Sequence, residues 1–122
     1  MYDITTEAHF SAAHRLKNYH GPCENLHGHN WLVRATVSCT DLDESGIGID
    51  FKVLKEKLKA ILYRFDHKDL NEVLDRDGLN PSSENMARHI FYQLREALTG
   101  WHGVVKCIEV FETPGNCAAY YE

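Results

Sequence analysis

The amino-acid sequence predicts an α+β domain, a four-stranded antiparallel sheet with two helices on one face. Three observations lead there. Apolar residues alternate with a period of two near both ends of the chain, they recur with a helical period in its middle, and the elements run strand, strand, helix, helix, strand, strand. A chain of 122 residues has room for one such domain, expected to span residues 1–122.

In the first strand Tyr2, Ile4, Thr6, Ala8 and Phe10 share a face, opposite Asp3, Thr5, Glu7 and His9. A polar loop, Asn18-Tyr-His-Gly-Pro-Cys-Glu-Asn, follows. The second strand runs from about His29 to Cys39, with Trp31, Val33, Ala35 and Val37 in phase. After Asp50, a candidate cap, the period lengthens: Phe51, Leu54, Leu58, Ile61, Leu62 and Phe65 form one helical stripe, and the lysines of that segment fall on the wet side. A second helix begins after Pro81 with Ser82 or Ser83 as cap, carries Met86, Ile90, Leu94 and Leu98, and stops by Gly100. Val104 to Thr113 alternates again, with Val104, Lys106, Ile108, Val110 and Glu112 on one face. A turn at Gly115-Asn116 returns the chain as a last strand, Cys117 to Tyr121.

A net charge of -5 supplies no basic stripe for phosphates, which argues against general nucleic-acid binding. No apolar run approaches membrane-spanning length and no apolar leader opens the chain, so a cytoplasmic protein is expected. Four cysteines without a CxxC pair read as free thiols; Cys39, Cys107 and Cys117 fall in strand patterns, where packing is their expected role.

Cys23 is different, because it stands in the polar loop four residues before His27. His27-Gly28-His29 leads into a strand, so both imidazoles point to one face. With His14 at the end of the first strand they make a three-histidine set that leaves a metal coordination position open. The other reading is a turn, with His14 unrelated. A thiol beside such a site would favour its thiolate and could serve as base or nucleophile. Asp66-His67 is either a carboxylate orienting an imidazole or a histidine at a helix end. Glu112 continues an apolar face, where a carboxylate needs a partner: two N–H donors of a guanidine-like ring edge, or Lys106.

The segments Phe10-Ser-Ala-Ala-His14-Arg-Leu, Cys23-Glu-Asn-Leu-His27-Gly-His29, Asp50-Phe51, Asp66-His67-Lys-Asp-Leu-Asn71, Asn80-Pro-Ser-Ser-Glu84-Asn and Phe111-Glu112-Thr113 occur in one order that resembles the 6-pyruvoyltetrahydropterin synthase superfamily over nearly the whole chain. The three residues between Cys23 and His27 are similar to its 6-carboxytetrahydropterin synthase branch, which works in queuosine precursor synthesis. The resemblance implies the tunnelling fold (ββααββ), whose subunits join sheets into a barrel, commonly a trimer that pairs to a hexamer, with active sites shared between subunits. It implies Zn2+ on His14, His27 and His29, Cys23 as general base, and Asp66 and His67 as its acid/base partners. Glu112 would anchor the pterin, with Ser82, Ser83 and Glu84 near it; both serines stand where threonine is common in the family. Arg15, Lys17 and Lys68 are candidates for the triphosphate only by their place beside these motifs.

The implied activity is that of a zinc-dependent lyase acting on 7,8-dihydroneopterin triphosphate. In the carboxy branch two side-chain carbons leave as acetaldehyde; in the biopterin branch the chain stays as a pyruvoyl group. The competing readings are that pyruvoyl-forming enzyme, a non-catalytic pterin- or zinc-binding module, and a small α+β protein with incidental histidines.

Overall fold

The computed structural model describes residues 1–21, 24–74 and 78–122. Strands β1 (Tyr2–His14) and β2 (His27–Cys39) pair antiparallel over their full length, from Tyr2 opposite Cys39 to His14 opposite His27. Helix α1 (Phe51–Leu62) follows, then β3 (Lys68–Asp69), the short α2 (Leu70–Leu74), α3 (Ser83–Ala97), β4 (Val104–Thr113) and β5 (Asn116–Tyr121). The fold is α+β as expected. The sheet has five strands rather than four, in the order β3-β1-β2-β4-β5. The fifth is β3, which runs parallel to β1 at Ala12 and Ala13 only. Two residues and a five-residue helix are too short for any hydrophobic period to show in a sequence.

Both long helices start on side-chain caps. Asp50 Oδ1 accepts from the Lys52 N–H at 2.7 Å, and Ser82, not Ser83, caps α3 by accepting from the Asn85 N–H at 3.2 Å. Helix α1 lies on β1 and α3 lies on β4 and β5, burying Leu54, Leu58, Ile90, Leu94 and Ile108 completely. Phe51, the first residue of α1, is 65% exposed and borders an open apolar hollow with Tyr2, Leu42 and Ile47, so it does not belong to the buried stripe. No helix of the described residues is long and apolar enough to cross a membrane.

Strand β4 breaks its own alternation. Between Thr36 and Val37 of β2 the partners on β4 jump from Cys107 to Val105, leaving Lys106 as the extra residue of a bulge. Val105 is therefore buried and Val104 is exposed, and neither Val104 nor Lys106 shares the face of Ile108, Val110 and Glu112. Lys106 pairs with Asp3 instead of Glu112. The thiols also sort differently from the strand pattern: Cys39 is buried, Cys107 half-buried and Cys117 exposed.

Candidate active site

Directly opposed residues of an antiparallel pair share a face, and the β1–β2 register places His14 opposite His27 and Ala12 opposite His29. All three imidazoles thus lie on the helix-facing side of the sheet, at its far end. Phe10 and Trp31, the next opposed pair, stack with centroids 5.7 Å apart, and the Trp31 ring stands edge-on to His14 and His29 at 4.9 and 5.3 Å. Glu112 arrives from β4 on the same side. His14 Nε2 is 3.0 Å from His27 Nε2 and 3.0 Å from Glu112 Oε1, which is also 3.3 Å from His29 Nε2.

Backbone carbonyls set the tautomers. His14 Nδ1 donates to Pro81 O at 2.7 Å, and His27 Nδ1 donates to Asn25 O at 2.6 Å. Each ring then carries its proton on Nδ1 and turns the Nε2 lone pair inward. His29 Nε2 is buried with no hydrogen-bond partner, and burial first, then His14 and His27, push its imidazole below the ordinary value against the pull of Glu112. The Nε2 atoms of the three histidines and a carboxylate oxygen thus face one another with all four atoms within 4.8 Å, an arrangement that could hold a metal ion. Three imidazoles with a carboxylate suit a borderline divalent ion.

Asp66 and His67 lie elsewhere, on the outer edge of β1. Asp66 Oδ1 accepts from the Ser11 N–H at 2.9 Å, and the His67 N–H donates to Ser11 O at 2.6 Å, so the pair acts as a strand partner for Ser11. His67 has a left-handed backbone (φ 57°), an uncommon cost for a residue with a Cβ, and its Nδ1 is 3.0 Å from Asp66 Oδ1. The Ser11 N–H bond, then His67, holds the Asp66 carboxyl below the usual carboxylate range despite some desolvation. The His67 side chain is 82% exposed and borders an open hollow of about 470 Å³ together with Ser11, Gly28, His29 and Lys68.

The family model for 6-pyruvoyl tetrahydropterin synthase matches residues 3–122. The chain belongs to that family. It is 38% identical to a 6-carboxy-5,6,7,8-tetrahydropterin synthase of Synechocystis, over 99% of this chain and 94% of that one. A Bacillus subtilis protein of the same name is 32% identical over 98% and 84%. A 6-pyruvoyl tetrahydrobiopterin synthase of Dictyostelium discoideum is 30% identical over 96% and 93%. Among solved structures, the 6-pyruvoyl tetrahydropterin synthase of Caenorhabditis elegans superposes with a TM-score of 0.84 at 28% identity, covering 100% of this chain and 97% of that one.

Within this family member, the structure brings together His14, His27, His29 and Glu112, and keeps Asp66 and His67 at the sheet edge. Ser82, Ser83 and Glu84 form the start of α3, one residue beyond the Pro81 carbonyl that holds His14; Ser82 is engaged as the cap and Glu84 is exposed. Cys23 lies outside the described residues. Sequence reasoning missed Asn71 and Asn80, which stand inside the quoted segments. Asn71 accepts from Arg15 N–H at 2.8 Å and donates to Arg15 O at 3.0 Å; Asn80 does the same for Lys17 at 3.0 and 3.1 Å. Their signal was position within a motif, which does not tell a clamp from a surface amide.

Proposed function

We propose that this chain is a zinc-dependent 6-carboxy-5,6,7,8-tetrahydropterin synthase, converting 7,8-dihydroneopterin triphosphate to 6-carboxytetrahydropterin, acetaldehyde and triphosphate as a step toward queuosine. The observation that carries the reading is the convergence of three imidazole Nε2 atoms and the Glu112 carboxylate. Two relatives of that name, at 38% and 32% identity over nearly the full chain, support the carboxy branch.

In this reading His14, His27 and His29 are the zinc ligands, with the Nδ1 protons of His14 and His27 engaged so that their Nε2 atoms are available. Zinc supplies Lewis acidity toward substrate side-chain oxygens. Cys23 is the base that takes a proton from the side chain, and His67, oriented by Asp66, returns one. Glu112, 26% exposed at the rim of the cluster, accepts from the pterin ring edge, with Ser82, Ser83 and Glu84 beside the ring. The chain acts as one domain within a homo-oligomer, a trimer or a hexamer. Two features support assembly. Among the described residues the outer side of β1 is paired only from Ser11 to Ala13, which leaves a long edge to be covered. His67 stands exposed on that edge, where it can complete the site of an adjoining subunit.

The 30% identical Dictyostelium relative favours a second reading, elimination of triphosphate with the carbon chain retained as pyruvoyl. Incubation with dihydroneopterin triphosphate, with mass identification of the pterin and trapping of any aldehyde, separates the two. Acetaldehyde in step with 6-carboxytetrahydropterin is expected; a pyruvoyl product without aldehyde selects the second reading, and an unchanged substrate rejects both. Cys23→Ala should slow turnover roughly 100- to 10,000-fold while keeping zinc and assembly, since proton abstraction by a positioned group contributes about that much.

A further inference from the structure

Strand β1 loses its main-chain neighbour just where the chain must be placed most accurately. β3 pairs with Ala12 and Ala13 and ends at Asp69, one residue before His14 of β1 needs support. Beyond it, Arg15 and Lys17 each present an N–H and a C=O to the same side of the chain, and no strand meets them among the described residues. Two side-chain amides do. Asn71, in α2, makes both bonds to Arg15, at 2.8 and 3.0 Å, and Asn80 makes both to Lys17, at 3.0 and 3.1 Å. A primary amide carries one acceptor and one donor in the geometry of a peptide group, so each asparagine replaces one residue of a missing strand.

Asn80 is itself fixed. Its carbonyl accepts from Asn85 Nδ2 at 2.8 Å and from the Ser82 N–H at 2.8 Å, which ties it to the first turn of α3. The next residue is Pro81, whose carbonyl accepts from His14 Nδ1 at 2.7 Å. The segment 80–82 is thus held at two points, to Lys17 just beyond β1 through the Asn80 side chain and to His14 at the end of β1 through the Pro81 carbonyl. Proline has no N–H and a fixed φ, so the Pro81 carbonyl can be aimed only by what holds its neighbours.

We propose that Asn80, assisted by Asn71, is a positioning residue of the metal site. By clamping Lys17 it registers Pro81 against β1 and so fixes the tautomer and tilt of His14. The proposal rests on reading the cluster as a metal site. It adds a function for two asparagines that touch neither the ion nor the substrate in that reading. Partners that orient a ligating histidine typically contribute about 10- to 100-fold to metal affinity.

The test uses the full chain and needs no substrate. Zinc affinity is measured by chelator competition, and the His14 tautomer by nitrogen-15 NMR of the metal-free protein. Asn80→Ala should weaken zinc binding about 10- to 100-fold and turn His14 from a single Nδ1–H form into a mixture. Asn80→Asp keeps the acceptor toward Lys17 N–H and loses the donor, so it should fall between wild type and Asn80→Ala. Asn71→Ala should move both readouts in the same direction. Thr99→Ala, which removes a hydrogen bond to Glu96 O at the other end of α3, should move neither. Should Asn80→Ala fail to fold by circular dichroism, Asn80→Asp and Asn71→Ala carry the same comparison. A folded variant with an unchanged His14 tautomer and zinc affinity within about twofold of wild type overturns the clamp. Wild-type protein that binds no zinc overturns the functional reading instead, and the tautomer arm still decides the clamp.

Discussion

The two faces of the β1–β2–β4 sheet each carry a row of polar side chains, and the rows are built on opposite rules. On the outer face Glu7, Arg34 and Glu109 stand directly opposite one another on three adjacent strands. Arg34 Nε is 2.9 Å from Glu7 Oε1, its Nη1 is 3.5 Å from Glu109 Oε2, and its guanidinium lies 5.2 Å from the Phe111 ring. Donors meet acceptors and plus meets minus, in reach of water. On the helix-facing side His14, His27 and Glu112 turn acceptors toward one another, with His29 Nε2 unpartnered beside them, over a buried tryptophan. The first row is complete without a ligand. The second is complete only when a cation or protons enter it, and the proposed function rests on that difference.

The largest effect that would break this contrast is on the helix-facing side. His27→Ala removes one inward lone pair, and two imidazoles rarely hold zinc tightly, so bound zinc and turnover should both be nearly lost. Metal analysis after dialysis checks it; stoichiometric zinc in that variant would sink the assignment.

A smaller effect is expected at the sheet edge. Asp66 titrates below the ordinary carboxylate value because it accepts from Ser11 N–H and lies beside His67. A group whose folded pKa is depressed contributes stability above its unfolded value of about 3.9 and loses it as pH falls through the folded value. Asp66→Asn should therefore be less stable than wild type at neutral pH, and the gap should close as pH drops below about 4. Urea titrations at pH 7 and pH 3 decide it, and a constant gap would show that the ionised form plays no part.

The smallest effect belongs to the matched row. Arg34 is partly exposed and screened, so Arg34→Met should cost little stability and leave zinc content and turnover unchanged. A large loss of zinc in that variant would mean that the two faces are coupled and the contrast is false.

Much of this was legible in the chain because it rests on period. Alternation placed β1 and β2, the spacing of His27 and His29 put both rings on one face, and the helical stripe found Leu54, Leu58, Ile61 and Leu62. What stayed hidden depends on partners rather than period. The bulge at Lys106 exists only relative to β2, and it reversed the reading of Val104 and Lys106. β3 is a pairing two residues long. Glu112 was recognised as out of place on an apolar face, but its nearness to the imidazoles needed the register of β4 on β2. The amides of Asn71 and Asn80 look in sequence like any polar surface groups.

The edge-on packing of Trp31 against the histidines has an optical consequence. Its indole is wholly buried, packed against two of the imidazoles, while Trp101 hydrogen-bonds to Gly48 O at 2.9 Å near the Cys39 end of β2. A charge entering the cluster changes the field across one indole and hardly touches the other. The protein's own ultraviolet emission then reads the filling of the cluster, with Trp101 as a steady background and no dye attached.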